Sequence, residues 1–168
     1  VLEKEQLYAY PSSSTYIKDG CSVTKEEIDG KVTYTDDYIN VLLREPYNKY
    51  ISDYVKSYFE DKSVRVYTEV TETSLTKIPN DLSEFDNNTV SDNMIFIDAG
   101  TVSEEKYKKF LSDYKAWITE HKLYSNNQII LFKEGYINKL TRYQYSDYLS
   151  SEYCILREDC NLTGYNYK

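Results

Sequence analysis

The stretch "QIILFKEGYINKL" (Gln128–Leu140) carries the first reading of the fold. Ile129–Phe132 is a run of four apolar residues, the length of a buried strand and far short of a membrane span. Lys133, Glu134 and Gly135 interrupt it, and a second partly apolar segment follows to Leu140. The pattern predicts a β-hairpin turning at Glu134–Gly135. A hairpin this late in the chain needs a sheet to join.

Working outward, the preceding elements supply one. "MIFIDAG" (Met94–Gly100) reads as a buried strand. Tyr107, Phe110, Leu111, Tyr114, Trp117 and Ile118 form one stripe at helical spacing. Thr101 with Glu104 fits a capping box at the start of that helix, and Ser103 is an alternative cap. "VRVYTEV" (Val64–Val70) alternates as a strand should. Upstream, "YINVLL" (Tyr38–Leu43) reads as a short strand, and Pro46 suits the first position of a helix. Tyr47, Tyr50, Ile51, Tyr54, Val55, Tyr58 and Phe59 then make its apolar face. A short last helix is expected near Ser146, including Tyr148, Leu149 and Tyr153. Residues 1–30 read as a peripheral extension with a linker-like "PSSST" (Pro11–Thr15), and residues 31–168 as a single domain. No internal repeat is apparent.

Composition bounds the function. The 168 residues are 40% hydrophobic and 29% charged, which is globular rather than disordered. A net charge of −8 argues against nucleic acid or an anionic lipid surface as the main partner, since both select basic patches. No apolar run is long enough for membrane insertion. Tyrosine is abundant, at 20 residues. An AT-rich coding sequence accounts for that abundance, and half-exposed tyrosines also suit interfaces. Cys154 and Cys160 are close enough in sequence for a small disulfide loop, with Cys21 left over; three free thiols fit equally. With no Met at position 1, a mature secreted product is one reading, and an extracytoplasmic location is favoured over a cytoplasmic one. Asn87-Asn88-Thr89 and Asn161-Leu162-Thr163 fit the glycosylation triplet, a pattern short enough to recur by chance.

Residues 71–93 stand apart. They hold five acidic residues and one lysine, so the segment carries −4, half the formal charge of the chain. It is expected to be a long acidic surface insertion, and connections of that length inside a domain tend to be functional or mobile. Asp81, Glu84, Asp86 and Asp92 are its candidate binding residues.

Together these elements run strand, helix, strand, loop, strand, long helix, hairpin, terminal helix. That order resembles the thioredoxin fold over residues 38 to 153, and it is similar to divergent thioredoxin-like accessory proteins of Gram-positive bacteria. The resemblance rests on "MIFIDAG", the Tyr107 stripe, "QIILFKEGYINKL" and "YSDYLSSEY" (Tyr145–Tyr153). It implies an α/β fold, a thioredoxin-like three-layer sandwich with a mixed central sheet. It also implies a missing activity. Where the family carries Cys-x-x-Cys, this chain reads "REPYNKY" (Arg44–Tyr50), and the family's proline before the hairpin is absent from Ser125–Gln128. A helix N-terminus cannot activate a thiol that is not there, so disulfide exchange is not expected.

Other chemistry is weakly signalled. The single histidine, His121, falls at a predicted helix C-terminus, where a solvated or capping role is ordinary. Asp86-Asn87-Asn88 and Asp92-Asn93 offer oxygen ligands without the spacing or bidentate Glu of a calcium loop. Asp36-Asp37 and Glu104-Glu105 are neighbours whose side chains diverge in strand or helix. Asp98 ends a buried strand, and capping the next helix is its expected job. No catalytic residue, metal site or cofactor is expected. The expectation is therefore a non-catalytic interaction or accessory module that contacts a protein partner, basic in charge, through a Tyr-rich acidic surface. The alternatives are a metal-assisted hydrolase using the carboxylates of residues 81–98, and a structural subunit of a larger assembly such as a surface layer, phage or conjugation apparatus.

Overall fold

The computed structural model describes residues 2–14 and 16–165. Thr15, the end of the linker-like stretch, lies outside the described residues. The chain is mixed α/β, built on two sheets. β1 (Leu2–Ala9), β2 (Cys21–Ile28) and β3 (Lys31–Asp36) form an antiparallel sheet in that order. α1 (Tyr38–Tyr58) leads into β4 (Val64–Thr73), β5 (Thr89–Asp98), α2 (Glu104–Glu120), β6 (Tyr124–Phe132) and β7 (Cys154–Asp159). The second sheet has the order β4-β5-β6-β7, with the central pair parallel and both outer pairs antiparallel.

Side-chain alternation divides this sheet between two cores. Val64, Val66, Val70, Ile95, Ile97, Ile129 and Leu131 point to one face. There they meet Leu43, Tyr47, Ile51 and Val55 of α1, spaced by four, and Tyr107, Phe110, Tyr114 and Ile118 of α2. Phe96, Ile130 and Phe132 point to the opposite face and pack under Ile137 and Leu140. Those two residues belong to an irregular segment between β6 and β7 that carries two 3-10 turns, Ile137–Lys139 and Tyr145–Tyr148. Both faces of the sheet are thus covered, one by helices and one by that segment.

The parallel pair β5/β6 aligns like with like. Ser91 faces Ser125, Asp92 faces Asn126, Asn93 faces Asn127 and Ile95 faces Ile129. On the helix side this ladder continues inward as a buried polar row. Thr68 Oγ1 donates to Asn93 Oδ1 at 2.8 Å, and Asn93 Nδ2 donates to Asn127 Oδ1 at 2.8 Å. Tyr114 donates to the same Asn127 oxygen, and Asn127 Nδ2 reaches Ser125 Oγ and the Cys160 carbonyl. Every donor and acceptor of Asn127 is engaged, which is what burial of an amide requires.

Several expected elements differ. "YINVLL" is the start of α1, not a strand, and Pro46 sits inside the helix. The stripe Leu43–Tyr47–Ile51–Val55 continues upstream through Ile39, which packs on the same core, so tertiary burial overrides the β-rich composition. The hairpin turn is present at Gly135, with φ +82, but the chain after it does not return as a strand. Ile137 and Leu140, three apart, plug the outer core, and the antiparallel partner of β6 is β7 instead. The expected terminal helix is only the 3-10 turn Tyr145–Tyr148. The expected boundary between residues 30 and 31 falls in the tight turn between β2 and β3. The expected insertion 71–93 includes the ends of β4 and β5, so the connection proper is 74–88. Ser103 is the cap of α2, its Oγ accepting from Lys106 N at 3.2 Å. Asp98 instead accepts from Gly100 N at 2.8 Å, in the turn before the helix. All three cysteines are free.

Candidate interaction surface

The sheet β1-β2-β3 is the most unusual part of the molecule. In the described side chains β1 is exposed, β3 is exposed throughout, and most of β2 is only half-buried. Its apolar side chains are therefore open to solvent: Leu7, Tyr8, Ile28, Val32 and Tyr34, the last at 64%. A three-stranded sheet is stabilised by burying one face, and neither face is buried here.

The sheet is held to the body at its base. A tight Asp29–Gly30 turn, with φ of +50 and +78, closes the far end of the β2–β3 hairpin. At the near end Asp37 N donates to the Ser22 carbonyl at 3.3 Å, and Ser22 N donates to Asp37 Oδ1 at 2.7 Å. Gly20 allows the Tyr8 ring to lie against the backbone. A Cβ at Gly20 would stand 2.5 Å from that ring and 2.8 Å from the Ala9 carbonyl. Below it, Arg44 of α1 donates to Asp19 Oδ1 at 2.6 Å and to the Lys18 carbonyl at 2.8 Å. Ser14 Oγ donates to the other Asp19 oxygen at 2.6 Å. Burial pushes the Asp19 carboxyl up. The hydrogen bonds from Ser14 and Arg44, with the charges of Arg44 and Arg142, outweigh it and hold the group below its ordinary value of 3.8.

The arginine cluster continues across the second sheet. Glu69 of β4 stands directly opposite Asp92 of β5, a like-charge pair that costs stability unless compensated. Arg142, from the segment between β6 and β7, donates to Glu69 Oε1 at 3.0 Å, and Arg44 lies 3.6 Å from Glu69 Oε2. Asn126 donates to Asp92 Oδ1 at 2.9 Å. Glu69, Asp92 and Asn126, with Lys18, Tyr67 and Tyr145, line a cleft of about 250 Å³.

The four candidate acidic residues fall in three places. Asp81 and Glu84 cap each other's turn: Asp81 Oδ1 accepts from Ser83 N at 2.9 Å, and Asp81 N donates to Glu84 Oε1 at 3.2 Å. Asp86 pairs with His121 Nδ1 at 2.7 Å and accepts from Tyr50 at 2.9 Å. Asp92 lies on the other face of the sheet, in the cleft. Between them Phe85 is fully buried against Tyr47 and Tyr50, which pins the 74–88 connection to the body. Asp86–His121–Tyr50 has the look of a relay, yet its chemistry is that of a clasp. Burial and the Asp86 carboxylate both push the Tyr50 phenol up, so it keeps its proton. Among the described residues no three His, Cys, Asp or Glu side chains stand close enough to share a metal ion. No helix among them is long and apolar enough to cross a membrane.

Sequence reasoning missed the first sheet and the Arg44–Asp19 anchor. The signal that could have found the sheet is Asp29-Gly30 followed by the β-forming run Val32–Thr35, a short-range hairpin marker weakened by the charges of Lys25–Glu27 before it. Nothing in the sequence pairs Arg44 with Asp19. Comparison with known protein families, with curated proteins and with solved structures gives no match.

Proposed function

We propose that the chain is a non-catalytic protein-binding module whose binding element is the sheet β1-β2-β3. The observation that supports this reading is the exposure of that sheet's apolar side chains on a scaffold that anchors its base with the mostly buried Arg44–Asp19 ion pair. A rigid base with an open sheet above it is suited to contact with another protein. The net charge of −8, with Asp81 and Glu84 exposed on the 74–88 connection, favours a basic partner and electrostatic steering toward it. Site-specific photo-crosslinking in the native host tests the reading. A photoreactive residue at Tyr8 is expected to capture protein, and one at the exposed Lys108 of α2 is expected not to. Equal capture at both positions, or none at Tyr8, would overturn it.

A further inference from the structure

The two edges of the first sheet are chemically different. β1 carries the exposed charges Lys4 and Glu5, the kind of charge that discourages strand pairing. β3 reads Lys-Val-Thr-Tyr-Thr-Asp, with its charges only at the ends. Its four central residues, Val32 to Thr35, are uncharged β-formers, and all of them are exposed. This is an edge without a guard.

The backbone of that edge is also presented outward. In a two-residue hairpin the pair flanking the turn exchanges hydrogen bonds, and the pairs then alternate. Ile28–Lys31, Glu26–Thr33 and Thr24–Thr35 are the bonded pairs by this count. The bond from Asp37 N to the Ser22 carbonyl continues the same series. The N–H and C=O groups of Val32, Tyr34 and Asp36 therefore face the free edge.

We propose that this edge pairs antiparallel with β3 of a second copy of the chain, about a two-fold axis through Thr33, giving a continuous six-stranded sheet. The inference rests on the sheet being a binding element, and it names the partner at one edge. Antiparallel neighbours share a sheet face, so a two-fold must pair residues of equal parity. Centred on Thr33, it sets Val32 opposite Tyr34 of the partner copy, twice, and Thr33 opposite Thr33. Aromatic–β-branched and Thr–Thr pairs are among the favourable cross-strand combinations. Val32 and Tyr34 are both outward-bonding positions, so the same pairs close the ladder. Lys31 meets Thr35, and within β3 itself no like charges oppose; beyond the strand Asp37 falls opposite Asp29 of the partner copy's turn. β3 runs from the Asp29–Gly30 tip to the body at Asp37, so the bodies of the two acidic chains lie at opposite ends of the joint.

Sedimentation of the full chain and two sets of variants tests this. The unaltered chain is expected to sediment as a dimer at submillimolar concentration, and Val32→Lys with Tyr34→Lys as a monomer with unchanged near-ultraviolet circular dichroism. Thr33→Cys, in a Cys154→Ser background, is expected to form an intermolecular disulfide on mild oxidation, because Thr33 lies on the axis. Tyr34→Cys in the same background is expected to crosslink far less. A monomeric unaltered chain, a dimer that survives the double lysine change, or crosslinking at Tyr34→Cys in preference to Thr33→Cys would each overturn the pairing. Capture of a different protein at Tyr8 by a monomeric chain would leave the binding module standing and remove only the second copy.

Discussion

Arg44 and Asp19 meet at 2.6 Å, each with about 12% of its side chain exposed, and they join α1 to the foot of the first sheet. Arg44→Met leaves the Asp19 carboxylate buried beside Ser14 without its main counter-charge. Breaking one side of a buried pair costs about 3 kcal/mol or more. The loss is expected to be local. Amide hydrogen exchange is expected to speed up across β1–β3 while β5 and β6 keep their protection. Equal acceleration in both sheets would show that the anchor holds the whole body together.

The same anchor gives the first sheet a pH dependence. The folded value of Asp19 lies below its ordinary value of 3.8, so the folded state binds its proton less readily than the unfolded chain. Its contribution is complete above that ordinary value and is lost as pH falls through the lower folded value. Exchange in β1–β3 is expected to rise in that acid window, and Asp19→Asn is expected to flatten the rise. An identical acid profile in Asp19→Asn would assign the effect to other carboxylates.

Among the contacts that hold the 74–88 connection, two differ sharply in weight. Phe85 is fully buried, and Phe85→Ala is expected to cost about 3–5 kcal/mol. The Asp86–His121 pair is roughly one-third exposed on each side, and a double-mutant cycle is expected to give it at most about 1 kcal/mol. Urea denaturation of Phe85→Ala, Asp86→Ala, His121→Ala and the double variant measures both. A larger loss from Asp86→Ala than from Phe85→Ala would make the connection electrostatic rather than hydrophobic in origin.

Trp117 stacks on Tyr54 at 4.0 Å, with planes 11° apart, and lies edge-on to Tyr50. It is partly buried at the seam between α1 and α2 rather than under the sheet. Trp117→Ala is expected to cost about 3 kcal/mol, toward the low end for an aromatic truncation. Trp117→Phe is expected to recover much of that by keeping a stacked ring. Thermal unfolding checks both, and an unchanged melting temperature in Trp117→Ala would make the seam an external contact.

What the sequence revealed follows from how each segment is buried. α2 and the apolar second halves of β5 and β6 are packed on a regular face or on both faces, so their periodicity is strong and they are found where expected, while both strands begin earlier, at Thr89 and Tyr124. The second half of α1 is legible for the same reason. Its first half is not, because Tyr38–Leu43 is locally β-like and becomes helical only by extending the Leu43 stripe onto the sheet. The first sheet buries neither face, so charges fall on both sides of β2 and the alternation that marks a half-buried strand is missing. Residues 133–153 cover a core with isolated plugs, Ile137 and Leu140, which carry no period. Among the candidate residues the acidic character of 74–88 was readable. The separation of Asp92 from Asp81, Glu84 and Asp86 onto opposite faces of the sheet depends on β5 starting at Thr89, which composition hides.

The matched ladder of β5 and β6 has a consequence for how the chain finds its fold. Two adjacent strands of similar sequence, each ending in a run of large apolar residues, invite slippage, since greasy side chains accept many neighbours. A slide of one residue turns the apolar set to the wrong face. A slide of two keeps the faces but sets Asn93 against Ser125 or Ile129, breaking the Asn93–Asn127 bond in a dry interior. The amide pair leaves one alignment in which both buried amides are satisfied, and so acts as the notch that stops the scale.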